Sequence, residues 1–446
     1  MARSSPRRQL GSVPPMLRDG RRIDFTDFLK SVTLYSALTR TKDGVVSTSQ
    51  LLFDPFSQEY FANPYDIYRR LRDEAPVHYS EQYDFYALSR HEDVAAAFKD
   101  WETYSSSRGV TLEEIQTGEH SHQQSIIWMD PPGHRRMRSL VNKVFTPRAV
   151  LSLEGIVRER INYHLSQVDP AGFDVVEDFS ALFPVEVITI MMGVPEDQRQ
   201  NVRLWLDLAL HRKPGQLRMS KAGLDAMMQT GTLYYNLIQQ RRENPGDDMI
   251  TALLNAEIER EGGGTTRLDD FEIAGFGTLL GGGGAETVTK LVGSAMVLFG
   301  RHPEQWRQLQ EDRSKVPAAV EEALRHEGPV QYDCRYTMKP VELHGTTIPE
   351  GSAVMLLGAS ANRDERAFTN ADTFDINRDR SQAQNLGFGY GIHSCLGAAL
   401  ARMESKIALE NLLDLLPQFE VDEAGLKRVS MTSVAGYGHV PVRVTR

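Results

Sequence analysis

Apolar side chains recur at every third or fourth residue along most of the chain after Phe53, the spacing of one face of an α-helix. This pattern predicts helices at 64–74, 91–99, 134–144, 148–167, 176–193, 196–209, 218–243, 247–259 and 268–300. Short stretches of alternating or β-branched residues predict strands at 77–80, 85–87, 337–343, 347–349 and 353–357, and a hairpin within 429–444. We therefore expect a mainly α fold with a minor β portion, in which a single large helix-rich domain carries small β-sheets.

The first fifty residues follow a different pattern. Residues 1–22 are basic and contain Pro, Ser and Gly, whereas 23–38 have apolar positions that suit an amphipathic helix. Such a helix could pack on the body of the protein or lie on a membrane surface. The length of 446 residues suggests about three domains at roughly 150 residues each, yet no linker-like composition interrupts 52–446. We expect an N-terminal extension at 1–51, partly disordered or amphipathic, and one domain at 52–446.

Composition narrows the classes of function. The net charge of −10 argues against nucleic acid as a partner. The two cysteines, Cys334 and Cys395, are too few for a disulfide framework or for an iron–sulfur cluster, which takes about four. No apolar run reaches the ~18 residues of a membrane span, and residues 1–22 lack the apolar core of a signal peptide. We expect a monomeric, cytoplasmic protein with no transmembrane segment.

Cys395 lies in a glycine-rich loop, 388–397, that opens directly into the apolar helix predicted at 396–413. At a helix N-terminus, free backbone N–H groups and the helix dipole favour a thiolate. Phe388 offers an apolar cover for the sulfur. Glycines leave room for a flat macrocycle and allow positive φ; here they are Gly389, Gly391 and Gly397. The alternative is an ordinary buried free cysteine.

This run resembles the haem-binding loop of the cytochrome P-450 superfamily, whose pattern F-G-x-G-x-H-x-C-x-G it matches at every specified position. The resemblance implies the cytochrome P-450 fold over 52–446. It also implies that Cys395 is the axial ligand of the iron in haem b, or iron protoporphyrin IX. The other cofactor-binding residues in the loop would be Phe388, Gly389, His393 and Gly397.

Four consecutive glycines, 281–284, lie inside the helix predicted at 268–300. In a helix interior they cost roughly 1 kcal/mol each relative to alanine, so something must compensate. A phosphate loop does not fit, because no Gly-Lys-Ser/Thr follows, while a break between two helices remains an alternative. The functional interpretation is a helix passing close over a planar ligand, with Glu286 and Thr287 supplying an acid and an alcohol.

The same stretch resembles the P-450 distal helix motif [A/G]-G-x-[D/E]-T, read through Gly283, Glu286 and Thr287. It departs at Val288, where the family often has a second threonine. The resemblance implies O2 as co-substrate and a catalytic role for both polar residues. Thr287 would hydrogen-bond the oxygen that is protonated, Glu286 would connect that hydroxyl to bulk protons, and the Cys395 thiolate would favour O–O cleavage.

Two further motifs support the resemblance. Glu322 and Arg325 match E-x-x-R, and Arg378 follows where the family places a second arginine. The resemblance makes these three structural residues, joined in a buried Glu–Arg–Arg network.

The segment 130–138 resembles the family's D-P-P-x-H-x-x-x-R. It places His134 and Arg138 on one helix face. By resemblance, both bind the haem propionates together with Arg335 and His393. The alternative is a solvated basic helix face.

A basic patch interrupts the acidic chain, since 131–153 contains no Asp or Glu. Such a patch suggests an acidic partner. The resemblance implies a ferredoxin or flavodoxin that donates electrons, although simple solvation is an equal alternative. The candidate docking residues are Arg135, Arg136, Lys143 and Arg148.

The resemblance over 52–446 therefore implies a haem-thiolate monooxygenase that inserts one oxygen atom from O2 into an apolar small molecule, with NAD(P)H as the electron source. A terpenoid, steroid, fatty acid or aromatic would each fit. One alternative is a peroxygenase driven by hydrogen peroxide, against which the Glu286–Thr287 pair argues. The other is a non-enzymatic haem sensor.

Overall fold

Helices make up most of the chain, as the hydrophobic pattern predicts. The computed structural model describes residues 51–118, 125–259 and 263–445. The helices within these ranges are α1 (Gln58–Ala62), α2 (Tyr65–Glu74), α3 (His91–Lys99), α4 (Leu112–Thr117), α5 (Gly133–Val144), α6 (Pro147–Ser152), α7 (Glu154–Leu165), α8 (Phe183–Met192), α9 (Glu196–Leu210), α10 (Lys221–Glu243), α11 (Met249–Asn255), α12 (Asp270–Arg301), α13 (Pro303–Glu311), α14 (Val316–Glu327), α15 (Gly358–Ala361) and α16 (Ala398–Leu415).

The strands are short and form small sheets. They are β1 (Val77–Ser80), β2 (Phe85–Leu88), β3 (Tyr104–Ser105), β4 (Phe173–Asp174), β5 (Glu257–Glu259), β6 (Thr265–Arg267), β7 (Asp333–Thr337), β8 (Val341–Leu343), β9 (Thr346–Ile348), β10 (Ala353–Leu356), β11 (Phe419–Val421), β12 (Lys427–Arg428), β13 (Tyr437–His439) and β14 (Pro441–Val444). The largest sheet has the order β1-β2-β10-β7-β3, and a second has the order β11-β14-β4. The remaining strands pair as β5-β6, β8-β9 and β12-β13.

The long helix α12 runs through the largest hydrophobic cluster. A capping box between Asp269 and Glu272 starts it, because each side chain accepts the other residue's backbone N–H. From Ala285 to Phe299 nearly every side chain is buried. Helices α8, α10, α14 and α16 pack around it. The residues on either side of Gly283 are therefore held by contacts on several faces.

Three predicted helices are shorter than expected. The stretch 148–167 divides at Leu153, which separates α6 from α7. The stretch 176–193 holds a π-turn at Val176–Ser180 and then α8, where Pro184 occupies the first turn and needs no N–H partner. The stretch 247–259 ends its helix at Asn255 and continues as β5.

The strand predicted at 337–343 is likewise two strands. β7 ends at Thr337 and β8 begins at Val341. Pro340, between them, has no N–H to donate to a neighbouring strand. Helix α13 is absent from the prediction, although its start carries a proline signal at Pro303.

The described residues after Leu51 form one compact unit. The predicted extension at 1–51 lies outside the described residues apart from Leu51 itself. Within the described ranges, no single helix has both the length and the apolar composition to cross a membrane. Only the bent pair Val176–Met192 and Glu196–Leu210, with 120° between its halves, meets both criteria.

Candidate functional site

The loop that carries Cys395 turns sharply before α16. The Cys395 N–H donates to the Phe388 carbonyl at 2.9 Å, which closes the loop. Gly389 and Gly391 have φ of 66° and 73°, as the sequence predicts. Gly397 does not, because its φ is −83° as it precedes the first turn of α16. Two of the three glycines therefore use the freedom to adopt positive φ.

Other contacts explain the glycines of this loop. A side chain at Gly391 would strike the carbonyl of Phe98, and one at Gly387 would lie 2.6 Å from Leu324. These two glycines seat the loop against α3 and α14. A Cβ at Gly389 would find nothing closer than 3.9 Å, and one at Gly397 nothing within 4 Å. The backbone there is open, as a flat ligand would require.

The Cys395 side chain is exposed on one side and enclosed by protein on the others. Burial raises the pKa of the Cys395 thiol. Backbone hydrogen bonds from Gly397 and Ala398 oppose this effect, as do the charges of Arg138 and Arg402. For the free thiol burial has the larger effect, so the surroundings as a whole disfavour the thiolate, although these four groups act in its favour.

Four cationic or imidazole side chains from three elements meet beside this loop. His134 and Arg138 lie on α5, Arg335 on β7 and His393 in the loop itself. The His134 and His393 rings have centroids 4.4 Å apart. Arg138 donates to the Ser394 carbonyl at 2.7 Å, and Arg335 stays buried. The structure thus brings together all four residues predicted from sequence.

This cluster is suited to binding anions. Both ring nitrogens of His134 and Nε2 of His393 are buried without a hydrogen-bond partner. Burial, followed by the charge of Arg335, lowers the pKa of His393 to about 3. Burial and the charge of Arg138 also lower the pKa of His134. Carboxylates placed here would pair with two arginines and satisfy the imidazoles, so the residues fit a ligand with acidic groups such as haem.

Helix α12 continues without a break through 281–284, which excludes the alternative of two helices. Three of the four glycines let neighbouring helices approach. A Cβ at Gly281 would lie 2.5 Å from the Tyr234 hydroxyl, one at Gly284 would lie 3.0 Å from Ile188, and one at Gly282 would lie 3.2 Å from Leu206. Only Gly283 of the four faces open space. The sequence predicts that the whole glycine run leaves room for a planar ligand, whereas in the structure only Gly283 leaves such room.

Thr287 and Glu286 face different surroundings. The Thr287 hydroxyl donates to the Gly283 carbonyl at 2.8 Å, on the open side of α12. Glu286 is buried, and its Oε1 lies 2.5 Å from Nζ of Lys290, which is also buried. The acid is thus engaged by a lysine one turn along the same helix.

A family model, Cytochrome P450, matches residues 56–433. The chain belongs to the cytochrome P450 family. Its relatives include Putative cytochrome P450 123 of Mycobacterium tuberculosis, which is 38% identical over 401 residues, or 90% of this chain and 98% of that protein.

Solved cytochrome P450 structures agree with the fold. CYP109E1 from Bacillus megaterium in complex with corticosterone is 31% identical, with a TM-score of 0.74 over 86% of this chain and 99% of that chain. P450BioI in complex with acyl carrier protein ligated to hexadec-9Z-enoic acid is 31% identical, with a TM-score of 0.77 over 87% of this chain and 99% of that chain. Both structures support a cytochrome P450 fold for this chain.

Family membership establishes the general activity. The chain is a cytochrome P450 monooxygenase, an oxidoreductase with a haem-iron cofactor that uses O2. Enzymes of this family act on apolar substrates and receive electrons from redox partners.

In this cytochrome P450, Glu322 pairs with both predicted arginines. Arg325 donates to its two carboxylate oxygens at 2.8 and 2.7 Å, and Nε of Arg378 donates to Oε1 at 3.1 Å. The remaining guanidinium N–H groups donate to backbone carbonyls of the 362–373 segment. The network therefore ties α14 to the chain that leads into the cysteine loop.

The basic patch of this cytochrome P450 is only partly described. Arg135 and Arg148 are exposed, and Arg136 is half-buried. The side chain of Lys143 lies outside the described residues.

Three residues near the site are missing from the sequence prediction. Arg402 lies over the Phe388 ring, 4.5 Å from its centroid, seven residues after the cysteine. Lys290 stands one turn after Glu286. Both spacings are visible in the sequence. Asp207, which interacts with Glu286 from α9, has no signal of that kind because it comes from a distant part of the chain.

Proposed function

We propose that Cys395 is the axial ligand of haem b in a monooxygenase with the balance RH + O2 + 2 e⁻ + 2 H⁺ → ROH + H2O. The observation that carries this proposal is one loop that presents a thiol beside open glycine backbone and a cationic cluster with unpartnered imidazoles. Bound there, the haem would supply the redox chemistry. Phe388, Gly389 and Gly397 would form its proximal contact surface.

The two propionates of haem b would lie against the four-residue cluster. Arg138 and Arg335 supply permanent positive charge, since guanidinium groups stay protonated. His134 and His393 offer ring nitrogens that lack partners among the described residues. The role of this cluster is to bind and orient the cofactor.

On the other side of the site, Gly283 and Thr287 would face the oxygen. The exposed backbone at Gly283 leaves room for the macrocycle and substrate. The Thr287 hydroxyl would donate a hydrogen bond to the oxygen that accepts protons, and Glu286 would supply those protons.

We propose an apolar substrate, and two related structures support this proposal. A steroid and a fatty acyl group are bound by the two related structures. A terpenoid, steroid, fatty acid or aromatic compound is therefore proposed, and a titration of haem spin state with members of each class would rank them. A compound class that produces no spin-state change at its solubility limit would be rejected as the substrate class.

For the redox partner we propose a ferredoxin or flavodoxin that docks near Cys395. An apolar groove of about 750 Å³ lies between α6 and α16. Leu151, exposed, and Met403 line it, while Arg402 connects its wall to Phe388. Arg135, Arg136, Lys143 and Arg148 would supply the basic contacts. The enzyme is proposed to work as a cytoplasmic monomer, with 52–446 as its haem domain and 1–51 as an extension.

The spectrum of the reduced, carbon-monoxide-saturated protein tests thiolate ligation. We expect a strongly red-shifted Soret band for the wild type and for Cys334→Ala, whose cysteine is fully buried in β7. Cys395→Ser should lose the red shift while keeping the helical circular dichroism of the fold. A red-shifted band in Cys395→Ser, or none in freshly purified wild type, would refute the proposed ligand.

A further inference from the structure

A histidine and two carboxylates meet outside the residues assigned to the haem. His439 ends β13, Asp174 ends β4, and Glu177 lies in the π-turn at Val176–Ser180. Nδ1 of His439 lies 3.3 Å from Oδ2 of Asp174 and 3.4 Å from Oε2 of Glu177. All three atoms lie within 4.8 Å of one another. One ring nitrogen and two carboxylate oxygens therefore converge on one small space.

The spacing of these atoms matches the coordination shell of a zinc ion. Zinc binds imidazole nitrogen and carboxylate oxygen at about 2.0–2.2 Å, with its ligands at the corners of a tetrahedron. Two corners of such a tetrahedron lie about 1.63 bond lengths apart, or roughly 3.3–3.6 Å. The distances from Nδ1 of His439 to the two oxygens, 3.3 and 3.4 Å, fall in this range.

Other histidines that meet a carboxylate in this protein have a different arrangement. Nε2 of His164 is hydrogen-bonded to Glu186 at 3.2 Å, and Nε2 of His344 to Asp93 at 2.8 Å. In both pairs one ring nitrogen meets one carboxylate. Nδ1 of His439 meets two, so even a protonated ring would leave one negative charge without a partner.

The carboxylates of this cluster have little other compensation for their charge. Within the described residues, the ion pairs of Asp174 and Glu177 are with His439 alone. Asp178, which is exposed, adds a third carboxylate to the same turn. A local excess of negative charge of this kind attracts cations.

Backbone hydrogen bonds hold Asp174 in position. Its Oδ1 accepts the N–H groups of Val176, Glu177 and Val440 at 2.9, 3.1 and 3.0 Å. These bonds leave Oδ2 facing His439. Two of the donors belong to the turn that carries Glu177, and the third directly follows His439. The three ligand-bearing segments are therefore fixed relative to one another, which lowers the entropy lost when a ligand binds.

The cluster joins two distant parts of the chain that both pack on α12. The Thr289 hydroxyl donates to the Ser180 carbonyl at 2.8 Å, which holds the π-turn against α12. Gly436, just before β13, packs on Lys290, where an added Cβ would lie 2.7 Å from the Lys290 Cβ. An ion bound by the cluster would therefore cross-link two segments that support this helix.

We propose that Asp174, Glu177 and His439 form a zinc-binding site that stabilises the domain by linking β4 and the π-turn to β13. Water completes the tetrahedron, and the neutral imidazole binds through Nδ1 with its proton on Nε2. Glu177 is 60% exposed, so the ion enters directly from solvent. The site does not depend on the proposed monooxygenase function, because none of the three residues is assigned to haem, oxygen or substrate.

Calorimetric titration of the untagged holoenzyme with Zn²⁺, after treatment with a chelator, tests the site. Mg²⁺ and Ca²⁺ serve as comparison ions, because both prefer shells made of oxygen ligands. We expect one Zn²⁺ to bind per chain, more tightly than either comparison ion. The unfolding temperature should rise with the Zn²⁺ concentration, since an ion that binds only the folded state stabilises it.

Two variants remove a ligand each. Glu177→Gln and His439→Ala should each weaken Zn²⁺ binding at least about tenfold, because the loss of even an outer-shell partner costs about 10–100-fold in metal affinity. The rise in unfolding temperature should move to higher Zn²⁺ concentration by the same factor. Both variants should keep the circular dichroism and the carbon monoxide spectrum of the wild type, since Glu177 and His439 lie near the surface.

Two further variants are matched controls. Asp178→Asn removes the same charge as Glu177→Gln from the same turn, but Asp178 is not one of the proposed ligands. His344→Ala removes a histidine that is 33% exposed, close to the 32% of His439, and that pairs with a single carboxylate. Both variants should bind Zn²⁺ nearly as the wild type does.

Three results would overturn the zinc site. The first is Zn²⁺ binding in the wild type that is no tighter than that of Ca²⁺. The second is binding in Glu177→Gln and His439→Ala that matches the wild type. The third is an equal loss in Asp178→Asn and Glu177→Gln, which would mean that the ion responds only to local charge. A wild type without a red-shifted carbon monoxide spectrum would refute the proposed function and leave these titrations unaffected.

Discussion

The hydroxyl of Thr287 donates to the Gly283 carbonyl one turn earlier, at 2.8 Å. This bond orients the Thr287 side chain towards Gly283, the one glycine of the run that faces open space. Replacing Thr287 with alanine removes the hydroxyl from the oxygen side. We expect Thr287→Ala to keep oxidising NAD(P)H while hydrogen peroxide replaces most of the oxygenated product, as measured by the ratio of product to NAD(P)H consumed.

Two variants separate this chemistry from helix effects. Thr287→Ser keeps the hydroxyl and should keep most of the coupling. Thr232→Ala removes the same kind of bond, from a threonine hydroxyl to the carbonyl four residues earlier, at an exposed position of α10. It should couple as wild type. Unchanged coupling in Thr287→Ala would show that the Thr287 hydroxyl does not have the proposed catalytic role.

Glu404, on α16, is a buried carboxyl without a charged partner among the described residues. Burial raises its pKa well above the ordinary range. In the folded protein it therefore keeps a proton that the unfolded chain releases above about pH 4.3. Its contribution to stability is complete below that pH and is lost as the pH rises towards the folded pKa.

Gln resembles the protonated form at every pH, so Glu404→Gln should not show this loss. From pH 5 to pH 8 the wild type should lose stability relative to the variant by up to ~1.4 kcal/mol per pH unit. Chemical denaturation across that range measures the difference. Glu410→Gln, on the same helix but paired with Lys406 near the surface, is the control. Parallel pH profiles for wild type and Glu404→Gln would contradict the prediction.

For single residues, the sequence predicts which residues have a functional role better than it predicts which side chains they contact. Cys395 and Thr287 stand in motifs whose spacing is local, and so does Lys290, one turn from Glu286. Asp207 is different, because only the packing of α9 against α12 brings it to Glu286. A partner from another element has no fixed spacing in the chain.

Among the elements, α14 and the segment before the cysteine loop are held together by the carboxylate of Glu322. Glu322→Ala would leave the guanidinium groups of Arg325 and Arg378 without their anion. Removing one partner of a buried ion pair costs about 3–5 kcal/mol. We expect a low yield of haem-loaded protein and a lower unfolding temperature, measured by the haem-to-protein ratio and by circular dichroism.

The exposed pair between Glu420 and Arg443 is a matched control. The two charged groups are 2.9 Å apart, but the Glu420 side chain is 58% exposed and that of Arg443 is 72% exposed. Such pairs contribute about 0–1 kcal/mol, so Glu420→Ala should load haem normally. A normal haem content in Glu322→Ala would show that the network is dispensable.

The helices also show which features the hydrophobic pattern does not predict. The existence of α12 and its length follow from the hydrophobic pattern, despite four glycines. The reason for those glycines does not, because Tyr234 and Ile188, which need the space at Gly281 and Gly284, come from α10 and α8. Similarly, the division of 148–167 at Leu153 has no proline to indicate it, and the nearby Gly155 lies inside α7 instead of at the break.

For the whole molecule, most of what the sequence predicts correctly comes from the family motifs. They place the mainly α fold and the monooxygenase activity correctly, whereas the order β1-β2-β10-β7-β3 joins strands from distant parts of the chain and has no local signal. The long-range electrostatics, in contrast, follow from composition alone. A net charge of −10 repels an acidic electron carrier except where a local basic patch attracts it.

That contrast leads to a prediction about the redox partner. Arg135 and Arg148 are exposed on the patch. Reversing either charge should weaken docking of a ferredoxin by about 1 kcal/mol, or roughly fivefold in KM. The kcat at saturating ferredoxin should change little, and the dependence of KM on salt should become shallower, because rim charges act mainly on association.

Arg307→Glu changes the net charge by the same amount at an exposed position of α13, so it controls for the general effect of added negative charge. If it raised the KM as much as Arg135→Glu and Arg148→Glu, the effect would belong to the whole molecule and not to the patch. If all three variants matched wild type, the basic side chains would simply be solvated. A rise confined to the two patch variants, and weakened by salt, would support docking beside Cys395.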